Sequence, residues 1–204
     1  MASSTTPRRP ANSGPELPER AHAQRVPAHR PSVNDPTGAD RNTGIVLGAA
    51  VIAMGLFAGL SYTFTTAVMP GLTAADDRTL VDAMQQMIDN PVFPVTFLAA
   101  GALAVVALVQ ARRSGSPKIA GWIVASLALY TVWVVVTFAV HLPLNEDLKD
   151  AGDPAGIANI SEVRDDFATP WVAWDIVRTL ASTAAFGFLT WALVLRGRIR
   201  RAAP

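Results

Sequence analysis

The segment PWVAWDIVRT, from Pro170 to Thr179, decides the fold of this chain. It opens an apolar run that continues to Leu195 and is long enough to cross a bilayer, yet it carries Asp175 and Arg178. A charge near the centre of a membrane helix costs about 2.5–3.5 kcal/mol even on lenient insertion scales. Such residues therefore face protein or a cavity, so we expect a helix bundle to pack around them.

Three other segments have a similar length and composition. About 20 apolar residues in a helix cross the roughly 30 Å hydrocarbon core of a bilayer. A soluble helical protein would need a polar face on each helix, and these segments lack one. The sequence therefore predicts an all-α integral membrane four-helix bundle, residues 44–195. Its transmembrane helices are predicted at about 44–69, 94–111, 119–141 and 171–195.

Basic residues indicate the orientation, because Lys and Arg are enriched on the cytoplasmic flanks of membrane helices. Most of the 17 basic residues lie before residue 44, between the second and third helices, or in 196–204. Both termini are therefore expected to be cytoplasmic. Residues 1–43 are rich in Pro, Ser and Arg and lack apolar periodicity, which predicts a disordered tail. Residues 196–204 form a second, short basic tail.

The two outer connections differ in character. Thr73 to Asp89 predicts a short amphipathic helix that lies on the membrane surface or caps the bundle; a solvated connector is the alternative. Thr73 and Asp76 resemble a capping box. Leu142 to Thr169 is rich in Asp and Glu and predicts an acidic loop with a turn at Asp153 and Pro154; one or two helical turns over Ser161 to Phe167 are the alternative there. The apolar face of the amphipathic helix consists of Leu80, Val81, Met84, Met87 and Ile88.

Small or polar side chains recur at helical spacing on three of the four spans. These stripes are Gly44, Gly48, Gly55 and Gly59 continuing to Tyr62 and Thr66; Ser126, Tyr130, Thr137 and His141; and Trp171, Asp175, Arg178 and Ser182. We expect them to meet in a polar pocket at the outer mouth of the bundle. The alternative is structural: Asp175 and Arg178 neutralise each other and fasten the adjacent loop.

Composition excludes several kinds of chemistry. The chain has no cysteine, which removes thiolate catalysis, disulfide exchange and iron–sulfur clusters. Of three histidines, His22 and His29 lie in the tail and His141 in the bundle, so no metal or bis-histidine haem site is expected. A net charge of +1 gives no argument for nucleic acid binding. The expected partner is the lipid bilayer; whether the protein also binds other proteins or itself stays open.

The chain resembles the anthrone oxygenase-like family of small integral membrane proteins over about residues 44–195. Four motifs in the right order carry the resemblance: a Phe-x-Gly and Pro-Gly-Leu end to the first helix, the segment AMQQMIDNPVF, a Leu-Pro-x-Asn-x-x-Leu motif, and a Trp-x-x-x-polar-x-x-Arg motif. The matching residues are Phe57, Gly59, Pro70, Leu72, Pro143, Asn145, Leu148, Trp171, Asp175 and Arg178. At the Asp175 position the family pattern leads us to expect Asn more often.

The resemblance implies oxidation of anthrones, which are tricyclic polyketide intermediates, to anthraquinones by O2 without a cofactor. On that hypothesis His141 is the catalytic base, and Arg178 stabilises the phenolate or enolate. The residues expected to bind and orient the substrate are Tyr62, Asn145, Trp171, Trp174 and Asp175.

Three function classes follow from these observations. The favoured one is a binder of a lipophilic small molecule, or an accessory membrane protein, with a pocket in the outer leaflet. The alternative is the cofactor-independent oxygenase, and a transporter is a third reading for which four spans offer little room. A composition rich in Ala, Arg, Pro and Val is typical of a high-GC bacterium, which would place the protein in the plasma membrane.

Overall fold

A computed structural model describes residues 1–2 and 36–202 of the chain. The predicted disordered tail therefore lies outside the described residues as far as residue 35. Its last eight residues differ from the prediction, because the first helix already begins at Pro36. Proline suits a first helical position, since its missing N–H has no helical partner there and its φ angle is already helical.

The elements of the described chain are helices that join into four long segments. They are α1 (Pro36–Thr63), a first π turn (Phe64–Val68), α2 (Met69–Thr73), α3 (Asp77–Ile88), α4 (Val92–Arg113), α5 (Pro117–Val136), a second π turn (Thr137–His141), α6 (Leu142–Asp150) and α7 (Ile160–Ala202). Both π turns are continuous with the helices beside them.

Four helical segments of the described chain are long and apolar enough to cross a membrane. They are Arg41–Thr73, Val92–Arg113, Pro117–Asp150 and Ile160–Arg201. This confirms the predicted all-α membrane bundle of four spans. Each helix extends beyond its predicted span, because the ends carry polar residues that a hydropathy window leaves out.

Close packing of small residues on α4 holds the larger of the two cores together. Ala100, Ala104, Ala107 and Ala111 recur at helical spacing and are almost fully buried. They pack in one cluster with large side chains of α1 such as Met54. Small residues let helix backbones approach where lipid supplies no hydrophobic drive, so this stripe favours tight association.

The glycine stripe of α1 packs less than the sequence predicts. A Cβ added at Gly55 would lie 2.9 Å from the Phe186 ring, which indicates close contact, but at Gly48 or Gly59 it would meet no atom within 4 Å. The buried face of α1 is instead the one that carries Leu47, Met54 and Phe57. These large side chains fill the space beside α4 and α7, and they determine which face of α1 is turned toward the bundle.

A second core lies where α3 meets α6 and α7. Leu80, Val81 and Met84 of α3 are buried there with Phe167 and Trp171. The amphipathic helix is therefore present and caps the bundle.

The helix α3 starts later than predicted. Its N-cap is Asp76, whose carboxylate accepts hydrogen bonds from the hydroxyl and backbone N–H of Thr79, and these bonds lower the pKa of Asp76 below its ordinary value. Thr73 is instead the last residue of α2, and its hydroxyl donates to the Met69 carbonyl one turn earlier.

The predicted acidic loop is wrong over Leu142 to Asp150, whereas Ser161 to Phe167 is helical, as its alternative assignment had it. Leu142 to Asp150 continues the third membrane helix as α6, and α7 begins at Ile160 and runs through Pro170 without ending. Proline normally breaks a helix interior. Here Phe167 and Ala168, just before the proline, are buried against α3, and this packing holds the extra helical turns in place. Gly152, with a φ of 84°, makes the turn in the short connection that remains.

We predict that Gly101→Ala destabilises the bundle. An added Cβ would lie 2.7 Å from the Tyr130 hydroxyl oxygen and 2.8 Å from the adjacent ring carbon, while that hydroxyl donates to the Phe97 carbonyl. Overpacking of this kind costs about 1–3 kcal/mol. The thermal unfolding midpoint in detergent should fall. Gly121→Ala is the matched control, because its Cβ would meet nothing within 4 Å. Equal midpoints for the two variants would contradict the packing described here.

Candidate functional site

The site begins with an ion pair on α7. Arg178 Nη2 donates to Asp175 Oδ1 over 2.6 Å, and the two residues lie one helical turn apart. Asp175 is 1% exposed, so its charge is removed from solvent almost completely. A buried ion pair is stable only when its remaining hydrogen-bonding capacity is also satisfied. The neighbouring helices supply those partners.

The two π turns hold the ion pair from opposite sides. Thr65, in the first π turn, donates to Asp175 Oδ2 over 2.7 Å and contacts the Thr179 hydroxyl at 2.6 Å. Thr137, in the second π turn, accepts from Arg178 Nη1 over 3.4 Å. A chain of hydrogen bonds therefore links the first, fourth and third membrane helices. π turns occur frequently at functional sites, where they shift side chains out of the regular helical phase.

Two indole rings enclose the guanidinium group. Its Cζ atom lies 5.2 Å from the centre of the Trp133 ring and 5.4 Å from that of Trp171. Arginine over a tryptophan face is attracted by the ring quadrupole, by about 2 kcal/mol or more when the contact is desolvated. Arg178 is therefore oriented by two rings, one carboxylate and one hydroxyl.

His141 closes the second π turn beside this cluster. Its ring lies 5.0 Å from Trp171 in an edge-to-face contact, and the indole N–H of Trp171 donates to Asn145 over 3.2 Å. His141 is 1% exposed, and neither ring nitrogen meets the geometry of a hydrogen bond to any described residue. Arg178 Nε and Trp133 Nε1 are buried and unpaired in the same way.

These side chains line one cavity of about 270 Å³. The size is close to the lower end for small-molecule sites, about 300 Å³. Its wall is mostly aromatic and aliphatic, and most of its polar groups belong to α7 and to the third membrane helix. The lining residues are Phe57, Leu60, Ser61, Phe64, Met84, Met87, Ile88, Phe93, Pro94, Phe97, Trp133, Thr137, His141, Leu142, Asn145, Trp171, Asp175 and Arg178.

Five of the seven residues singled out from the sequence line this cavity: His141, Asn145, Trp171, Asp175 and Arg178. They come from the third and fourth membrane helices. The structure thus brings the stripes of these two helices together at the cavity.

Tyr62 and Trp174 do not line the cavity, which corrects their predicted placement. Tyr62 is 58% exposed and Trp174 is 43% exposed. Tyr62 follows Ser61, which does line the cavity, so one residue step of 100° turns it outward. Trp174 precedes the inward-facing Asp175 by the same step.

The main residues missed from sequence are Thr65 and Trp133. Trp133 lies one turn before Thr137 and two before His141, so helical spacing alone could have placed it on the inward stripe. Thr65 could not be found in this way. The first π turn breaks the regular phase of its helix, and a regular continuation of the glycine stripe points to Thr66, which is exposed.

We predict that Thr65→Val destabilises the protein. Valine keeps the branched shape but removes the hydroxyl that donates to Asp175, and a hydrogen bond to a charged group contributes about 1.5–3 kcal/mol. Thr66→Val is the control from the same π turn, because its hydroxyl donates only to the Tyr62 carbonyl of its own helix. Unfolding midpoints in detergent compare the two. An equal fall in the unfolding midpoint of both variants would argue against the hydrogen bond from Thr65 to Asp175.

Comparison with known proteins places this site in a family. No curated protein and no solved structure matches the chain. One family model does: the model described as "Anthrone oxygenase" matches residues 83–188. The match covers just over half of the chain and includes His141, Asn145, Trp171, Asp175 and Arg178, while Thr65 lies before it. The chain therefore belongs to the anthrone oxygenase family, as a multi-pass membrane protein with four helices able to cross a bilayer.

Proposed function

We propose that the protein binds a lipophilic, largely aromatic small molecule in the cavity between α3, α5 and α7. One observation carries the proposal: Trp133 and Arg178 both line the cavity, and both have a buried N–H group with no partner among the described residues. A buried polar group left unpaired costs about 1–3 kcal/mol. Such a cost is offset when a ligand supplies the missing hydrogen bonds.

The unpaired atoms define which ligand chemistry fits. Trp133 Nε1 and Arg178 Nε are donors only, while a neutral imidazole offers one donor and one acceptor. A matching ligand needs oxygen acceptors, such as ketone or phenol oxygens, on an apolar frame. The aromatic wall formed by Phe57, Phe64 and Trp171 suits flat rings.

A second candidate function is the cofactor-independent oxygenase that the family description suggests. The observation that favours it is that His141, a buried imidazole, lines the same cavity as an arginine that can stabilise an oxyanion. His141 would take one proton from the acidic methylene of an anthrone, and the carbanion would react with O2 to give a hydroperoxide. Loss of the second C–H proton with cleavage of the O–O bond then leaves the ketone and one water.

Binding is tested with 1,8-dihydroxyanthraquinone as the probe, by quenching of tryptophan fluorescence in proteoliposomes. We expect Arg178→Lys to weaken binding by roughly 10- to 100-fold, which corresponds to one charge-assisted hydrogen bond. Lysine keeps a positive charge opposite Asp175 but loses the planar Nε donor. Arg198→Ala is the matched control, because Arg198 also stacks on a tryptophan, Trp191, yet lies far along α7 from the site.

Two outcomes of this binding experiment would contradict the first proposal. Equal affinity of the wild type, the Arg178 variant and the control would rule out the cavity as the binding site. If the wild type does not bind the dye, the protein is better explained as an accessory membrane protein in which Asp175 and Arg178 fasten the helices.

Oxygen uptake with a panel of anthrones separates the binder from the oxygenase. Uptake above the spontaneous rate that His141→Ala and Arg178→Lys both abolish, with dye binding retained in the histidine variant, supports the enzyme. Binding of the dye without oxygen uptake supports the binding protein over the oxygenase. Tyr62→Phe should behave as the wild type in both assays, since Tyr62 faces away from the cavity.

The orientation belongs to the same proposal: both termini face the cytoplasm, and the membrane is the plasma membrane. Exposed basic residues at Arg112, Arg113 and Lys118, between α4 and α5, support it. Because the chain has no cysteine, single cysteines can report the topology directly. On intact cells an impermeant maleimide should label Ala155→Cys, and should label Lys118→Cys only after the membrane is opened. The reverse pattern would invert the orientation.

A further inference from the structure

The cavity has two boundaries of different character, one formed by α3 and the other by α4 and α6. With the bundle placed in a bilayer as proposed above, the first lies on the water side and the second on the lipid side. The way each boundary is held together shows how a ligand reaches the site. This inference rests on the binding function proposed above.

The boundary at α3 is fastened by polar contacts. Gln85 donates to the carbonyls of Leu148 and Gly152 over 2.8 and 3.0 Å. Lys149 pairs with Asp89 at the end of α3 over 2.6 Å. Each contact joins α3 to α6 or to the connection that follows it.

The start of α3 is held as well. Arg164 of α7 pairs with Asp77 over 3.3 Å and donates to the Thr73 carbonyl over 2.8 Å. From beneath this fastened helix, Met84, Met87 and Ile88 project onto the cavity. The helix therefore acts as a closed roof on the side that faces water.

The boundary between α4 and α6 is open by comparison. The helix α4 packs along α1 and α5, while in the described chain it makes no comparable contact with α6. Pro94 at the start of α4 and Leu142 at the start of α6 both line the cavity, and both are exposed on their outer sides. Residues that contact a cavity and the surroundings together form its rim.

The surroundings of this rim are apolar. Val95, Leu98 and Phe138 are 64%, 60% and 58% exposed on the outer surface of α4 and the second π turn. Pro94 lies 18 residues before Arg112, about 27 Å along the helix at 1.5 Å per residue. That distance places Pro94 near the edge of the roughly 30 Å hydrocarbon core.

We infer that the gap between Pro94 and Leu142 is a lateral portal through which a membrane-dissolved ligand enters the cavity. The ligand class is an apolar molecule that partitions into the bilayer and carries oxygen acceptors. Entry from lipid avoids unfastening α3, whose contacts to α6 and α7 would all have to break for entry from water. It also delivers the apolar part of the ligand first to the aromatic wall.

The experiment uses the absence of native cysteine. Leu142→Cys and Pro94→Cys are reconstituted separately and then labelled with N-benzylmaleimide, so that the adduct is added to a folded protein. Phe138→Cys with the same adduct is the control, because Phe138 is exposed one turn away and does not line the cavity. The readout is the rate of tryptophan quenching by 1,8-dihydroxyanthraquinone delivered from dye-loaded vesicles.

We expect both rim adducts to slow dissociation of the dye, as well as its association, by roughly tenfold, with the control unaffected. A blocked portal slows entry and exit alike, whereas an adduct that fills the site lowers affinity without slowing dissociation. That second result would overturn the portal.

Two further outcomes would also overturn it. Unchanged rates in both rim variants would show that the dye enters elsewhere, and slowing by the same adduct at Gln86→Cys, exposed on α3, would show entry past the roof. A failure of the wild type to bind the dye instead removes the proposed function itself, so the two failures are distinguishable.

Discussion

The ion pair between Asp175 and Arg178 is the constraint on which the outer half of the bundle depends. Both charges lie in a helix that can cross a membrane, where neither water nor lipid can satisfy them. Each must therefore find partners on other helices, and Thr65 and Thr137 are those partners. These bonds join the first and third helices to α7, in addition to the apolar packing between them.

The two π turns explain how three helices can serve one ion pair. A regular helix repeats every 3.6 residues, so a side chain needed between two inward positions would otherwise point to lipid. An extra residue in one turn shifts the phase and brings the side chain in. Thr65 reaches Asp175 in this way. The second π turn ends at His141, whose ring lies beside that of Trp171. A local irregularity in the first membrane helix thus supplies one of the partners of the ion pair.

The difference between regular helical turns and π turns also determines what could be predicted from the sequence. Long apolar segments predicted the four spans, and regular spacing predicted that His141, Arg178 and Trp171 share a cavity, because these positions obey simple periodicity. Tyr62 was misplaced since the glycine stripe of α1 was taken as its buried face, whereas large residues such as Met54 set the phase. The acidic loop was misassigned because its helices are stabilised by tertiary packing of Phe167, which overrides the local signal from Pro170.

The charge on Asp175 has a consequence for the chemistry of the site. Asparagine, which the family resemblance leads us to expect there, would leave the guanidinium with a full positive charge for a substrate oxyanion. In this chain Asp175 accepts from Nη2 and neutralises that charge, Thr137 accepts from Nη1, and Nε is buried without a partner among the described residues. A guanidinium whose charge is neutralised by a carboxylate stabilises an anion less than a free guanidinium does, but its remaining N–H groups still suit a ketone or phenol oxygen. The geometry of the ion pair therefore supports the proposed recognition of a neutral ligand over stabilisation of an enolate.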